Sequence, residues 1–102
     1  MERSKKYNDL LIESLKDPEE AIFYLNAVLQ DCRTDEEESQ KLLLLALQNV
    51  AIAQGGLAKL AKKTGLGRES LYKTLSRNGN PKISTLTTLV NALGFNLTIS
   101  KR

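Results

Sequence analysis

The stretch Leu57-Ala-Lys-Leu-Ala-Lys-Lys-Thr-Gly65-Leu-Gly-Arg-Glu-Ser-Leu-Tyr-Lys-Thr-Leu75 decides how the rest of the chain is read. Its spacing predicts two short helices joined by a tight glycine turn. Where two such helices cross, a small residue is needed, and Ala61 supplies it. Gly65 lies one residue past the first helix, where the turn needs left-handed backbone that glycine adopts without steric cost. Leu60, Leu66, Leu71 and Leu75 are expected to share a core. Removing those inward positions leaves Arg68, Glu69, Tyr72, Lys73 and Ser76 on the outer face and leading end of the second helix.

Charge gives that face its meaning. Residues 51–102 carry nine Lys and Arg (Lys59, Lys62, Lys63, Arg68, Lys73, Arg77, Lys82, Lys101, Arg102) against the single acid Glu69. Residues 1–50 carry six basic and eleven acidic residues, so the net +3 conceals a strongly polar molecule. A helix-turn-helix pattern in the basic half points to duplex DNA, whose major groove receives the second helix of such a pair. Arg68 is suited to fork onto a guanine, and Glu69 to accept from a cytosine amine or to orient Arg68. Tyr72 and Lys73 are placed to reach bases or phosphates. Lys59, Lys62, Lys63, Arg77 and Lys82 are natural phosphate partners, and Gly67, Ser76 and Asn80 complete the expected DNA-binding set. A helical hairpin with a merely solvated basic face would share the spacing; the charge partition and the helix that follows favour DNA.

At 102 residues and 41% hydrophobic content, the chain can bury a modest core as one compact domain. Two regions are expected within it: acidic helices over 1–54 packed on a helix-turn-helix region over 55–102. The longest apolar run, Leu42 to Leu47, is far too short for a membrane span. The charged N-terminus, with no apolar region after it, leads us to expect a cytoplasmic protein. There is no histidine and a single cysteine, Cys32. Zinc sites, His-based acid–base chemistry, Ser-His triads and an intramolecular disulfide are thereby excluded. No nucleophile has a base beside it in the sequence, so neither an enzyme nor a cofactor is expected.

Helix signals dominate elsewhere. Asn8 to Leu15 reads as a short helix. Asp17-Pro18-Glu19-Glu20 sets an N-cap before a proline at the first helical position, with Glu20 able to reach back as a capping box. The helix it opens repeats Ile22, Leu25, Val28/Leu29 and Cys32, which places Cys32 as a small buried hydrophobe. Thr34-Asp35-Glu36-Glu37 caps a longer helix through Leu43, Leu47, Val50 and Ala51, ended by Gly55-Gly56. Its acids read as partners of the helix dipole rather than as an interaction patch. After the turn Asn78-Gly79-Asn80-Pro81, Ser84 is expected to cap a helix with Leu86, Leu89, Val90 and Leu93, which Gly94 closes. Phe95-Asn96-Leu97-Thr98-Ile99-Ser100 alternates apolar and polar and reads as one strand. With no second strand in the chain, Phe95, Leu97 and Ile99 are expected on a strand that pairs with its twin in a second copy.

Residues 57–93 resemble a lambda-repressor-type helix-turn-helix domain, and the fuller pattern resembles the addiction-module antidote (antitoxin) family. The resemblance rests on Leu10 to Asp17-Pro18-Glu19, on Tyr24-Leu25-Asn26-Ala27, and above all on Gly65 to Ser76. Asn78-Gly79-Asn80-Pro81 and Ala92-Leu93-Gly94-Phe95 complete it. It implies an all-α fold: a lambda-repressor-like bundle with extra N-terminal helices and a short C-terminal strand. It implies a repressor at the operator of its own operon, which also neutralises a cognate toxin, commonly a small basic ribonuclease; a homodimer is expected because one short recognition helix reads too few bases. Carried over by position, Arg68, Glu69, Tyr72 and Lys73 are the recognition-helix residues. Two departures matter. Leu57 stands where a phosphate-contacting Gln is usual, and Gly67 where a Ser or Thr usually caps the recognition helix. The acidic half is the expected toxin contact. The competing expectations are a prophage-type regulator without a toxin, and a protein–protein adaptor whose basic face docks an acidic partner.

Overall fold

A computed structural model of the chain describes residues 2–30, 36–99 and Lys101. Among them run six helices: α1 (Glu2–Ser14), α2 (Pro18–Gln30), α3 (Glu36–Ala53), α4 (Leu57–Thr64), α5 (Arg68–Thr74) and α6 (Ile83–Ala92). None is long and apolar enough by itself to cross a membrane. Cys32, Thr34, Asp35 and Ser100, on which expectations were placed, lie outside the described residues.

The all-α expectation holds, but the C-terminal strand does not. Residues 95–99 are irregular, and no strand occurs among the described residues. The physical reason is the one that made the strand awkward from the outset: a strand exists by its ladder of hydrogen bonds, and nothing in the described chain offers an edge. Gly94 turns the backbone at φ 96°, the Phe95 N–H donates back to the Val90 carbonyl at 3.1 Å, and the tail continues alone. Phe95 packs against the core, whereas Leu97 is 46% exposed and Ile99 fully so. Phe95, Leu97 and Ile99, expected on a strand, therefore lie on irregular backbone in this fold.

Side-chain capping differs from one helix start to the next. Asp17 caps α2 as expected, its Oδ1 accepting the Glu19 N–H at 3.0 Å. Lys82, not Ser84, occupies the N-cap of α6, and no side chain caps that end. Ser84 lies inside the helix, where its carbonyl accepts the Thr88 hydroxyl at 2.9 Å. α1 starts well before Asn8, at Glu2.

α3 is the helix around which the others gather. It packs on α1, α2 and α4, while α4 packs on α5 and α6. The core joins Leu44, Leu47 and Val50 of α3 to Leu15, Ala21, Leu25, Leu60, Leu71, Leu75 and Leu89. Both halves of the chain contribute to it. On α2, Leu25 is buried and Val28 packs on the core as expected, but Ala21 joins them while Ile22 and Leu29 are exposed, contrary to expectation. Ala21, fully buried, lets that side of the helix seat closely on its neighbours.

Candidate nucleic-acid interface

α4 and α5 are joined by the three residues Gly65, Leu66 and Gly67. Gly65 has φ 78° in the left-handed region, and its N–H donates to the Ala61 carbonyl at 2.8 Å, ending α4. The Thr64 hydroxyl donates to the Leu60 carbonyl at 2.9 Å and accepts the Leu66 N–H at 3.3 Å, which tightens the turn. Leu66 itself points outward at 38% exposure, against the expectation that it shares the core. It belongs to the turn and to neither helix; Leu60, Leu71 and Leu75 are buried at the junction, and Leu57 and Ala61 pack against the core. Gly67 is the N-cap of α5 and, lacking a side chain, gives it no cap hydrogen bond.

A helix of seven residues is unstable alone in water, so α5 depends on what it buries. Leu71 and Leu75, four residues apart, are fully buried and pin one side. Its leading end and outer face carry Arg68, Glu69, Tyr72 and Lys73, all exposed. Arg68 with Tyr72, and Glu69 with Lys73, are neighbours one turn apart. Lys59 and Lys62 stand exposed on α4; Lys63 is exposed too, but its Nζ reaches the Ala92 carbonyl at 3.4 Å. Lys82 is exposed at the start of α6.

The remaining expected residues are engaged within the protein. Ser76 is half-buried, and its hydroxyl turns back to the Lys73 carbonyl at 2.7 Å. Arg77 forms an ion pair with Glu38 of α3 at 3.7 Å. Asn80 accepts a hydrogen bond from the Gln40 amide at 3.4 Å, and the same amide donates to the Gly79 carbonyl at 3.2 Å. Gln48 of α3 donates to the Leu75 carbonyl at 3.2 Å. Gln40 and Gln48 were not singled out from the sequence. A glutamine on an amphipathic helix reads as solvent-facing, and nothing local says that a loop 39 residues later will meet it.

The exposed side chains of α4 and α5 thus bring basic residues and the aromatic Tyr72 onto neighbouring helices. Residues 6–101 match the family model described as "Probable addiction module antidote protein". An "Uncharacterized protein" of Haemophilus influenzae is 35% identical over 89 residues, covering 87% of this chain and 84% of that protein. No solved structure matches. The chain belongs to the addiction-module antidote family. Its role is accordingly that of the antitoxin of a toxin–antitoxin module, and its partner is a toxin.

Proposed function

We propose that this antitoxin is also a sequence-specific DNA-binding repressor of its own operon, built on a lambda-repressor-like helix-turn-helix made by α4 and α5. One observation carries the reading. α5 has one side fully buried through Leu71 and Leu75, while its leading end and outer face are exposed and furnished with Arg68, Glu69, Tyr72 and Lys73. That is the requirement for a helix that must be held rigidly while its outer side enters a major groove. Lys59, Lys62 and Lys82 flank it as phosphate partners.

The protein acts in the cytoplasm as a homodimer, because one short helix reads too few bases for useful specificity and two half-sites compensate. The toxin docks on the acidic half, whose exposed carboxylates complement a small basic protein and speed association. The test is enrichment of duplexes from a random pool, followed by titration of the enriched duplex against salt. If about six to eight phosphates are contacted per dimer, log K falls with log salt at a slope of roughly −5 to −7. A flat salt response, or a pool that yields no enriched sequence, overturns the assignment.

A further inference from the structure

We infer that Gln40 and Gln48 of α3 are positioning residues for DNA recognition, pins that hold the trailing end of α5 at a set angle. The inference rests on the DNA-reading assignment of α5. α5 packs mainly on α4. Its trailing end meets α3 through side chains: the Gln48 amide donates to the carbonyl of Leu75, the residue that caps α5. Two turns earlier on α3, the Gln40 amide donates to the Gly79 carbonyl and to Asn80 Oδ1, in the loop that follows α5. Between them on the same side lies Leu44, buried in the core. The stripe Gln40–Leu44–Gln48 thus grips one end of the reading helix by two polar points and an apolar one.

The loop it grips has little slack. A Cβ on Gly79 would stand 2.0 Å from the Thr74 carbonyl oxygen and 3.0 Å from that of Lys73, so the loop backbone lies directly against the end of α5. Whatever Gln40 does to Gly79 is passed to α5 by contact. The same device recurs at the other end of α3, where the Gln54 amide donates to the Leu15 and Lys16 carbonyls just beyond α1. Two glutamines of α3, and a third just past its end, each hold the backbone that ends or follows a neighbouring helix. Carbonyls at helix ends lack partners within their own helix, so an amide donor is the natural fixture there. A short helix pinned at Leu71, Leu75 and its trailing end keeps its orientation when its leading end presses on bases. Loosened, it retains its charges but not its register.

The experiment uses the full chain and the duplex that the wild type enriches from a random pool. Gln48→Ala, Gln40→Ala and Gln48→Met are compared with wild type for affinity to that duplex and to a random duplex, well below each variant's measured melting temperature. Each alanine variant is expected to lower affinity for the enriched duplex about three- to tenfold, the worth of one hydrogen bond, with random-duplex affinity within about twofold of wild type. Gln48→Met keeps length and loses the donor, so it should behave as Gln48→Ala. Parallel loss of affinity for both duplexes, or unchanged discrimination, overturns the inference. If wild type enriches no duplex, the DNA-reading assignment falls and the pins fall with it; if wild type enriches one and the variants discriminate equally well, only the pins fall.

Discussion

At the scale of single residues, the proposed DNA-binding role divides the exposed side chains of α4 and α5 into those that would read and those that would anchor. Arg68 lies in the first turn, exposed, where a planar fork of donors meets a guanine edge. Lys62, in the last turn of α4, offers a point charge on a flexible stem, suited to a phosphate of any sequence. Arg68→Ala should cost about 1–3 kcal/mol of specific binding and relax the preference at one base position. Lys62→Ala should weaken binding to specific and random duplexes alike and make the salt slope shallower by about one. Competition titrations with single-base variants of the enriched site check both; indistinguishable profiles for the two substitutions would refute the division. Arg77 behaves differently from the other cations, because Glu38 stands 3.7 Å away. Both side chains are more than half exposed, so the pair adds little to stability, and a phosphate can compete for the guanidinium.

At the scale of elements, two glycines shape the helix pair for unlike reasons. Gly65 has open space around it but sits at φ 78°, which an L side chain rarely adopts. Gly65→Ala should therefore cost about 1–2 kcal/mol of folding stability, the left-handed penalty alone. Gly79 has no such backbone angle; its difficulty is the Thr74 carbonyl that a Cβ would meet at 2.0 Å. Relief requires moving backbone against the end of α5, so Gly79→Ala should be the more destabilising and should also depress binding to the enriched duplex. Denaturant melts of the two variants test the order. If Gly79→Ala is the milder, the loop is not seated against α5 as described.

At the scale of the molecule, charge is segregated while the core is shared. The acids Glu19 and Glu20 occupy the first turn of α2 and are exposed, in the half of the chain remote in sequence from the α5 basics. Glu19→Lys with Glu20→Lys, in the full chain, should impair neutralisation of the co-encoded toxin and leave DNA affinity unchanged or slightly raised. It should also cost about 0.3–1 kcal/mol per site, since carboxylates at a helix start favour its dipole. Growth rescue on co-expression with the toxin, read beside duplex titration, separates the effects. Undiminished rescue would remove this end of α2 from the toxin contact. A fragment of residues 51–102 is a poor substitute for such a variant, because Leu44, Leu47 and Val50 of α3 would leave the core with the missing half.

Much was already legible in the order of residues. Helix spacing, the Asp17-Pro18 start, the left-handed turn at Gly65 and the burial of Leu60, Leu71 and Leu75 follow from local rules: each depends on neighbours within a turn or two. So does the charge division, since it needs no coordinates at all. Tertiary structure decided what depends on partners distant in sequence. It chose Ala21 over Ile22 on α2, where either residue satisfies the helical period and only the facing surface can select. It left Phe95 to Ile99 without a sheet, since alternation shows that a segment suits a strand and not that an edge awaits it. And it brought Gln40 and Gln48 to the far end of α5, because an amide declares its acceptor only when the chain has folded back to present one.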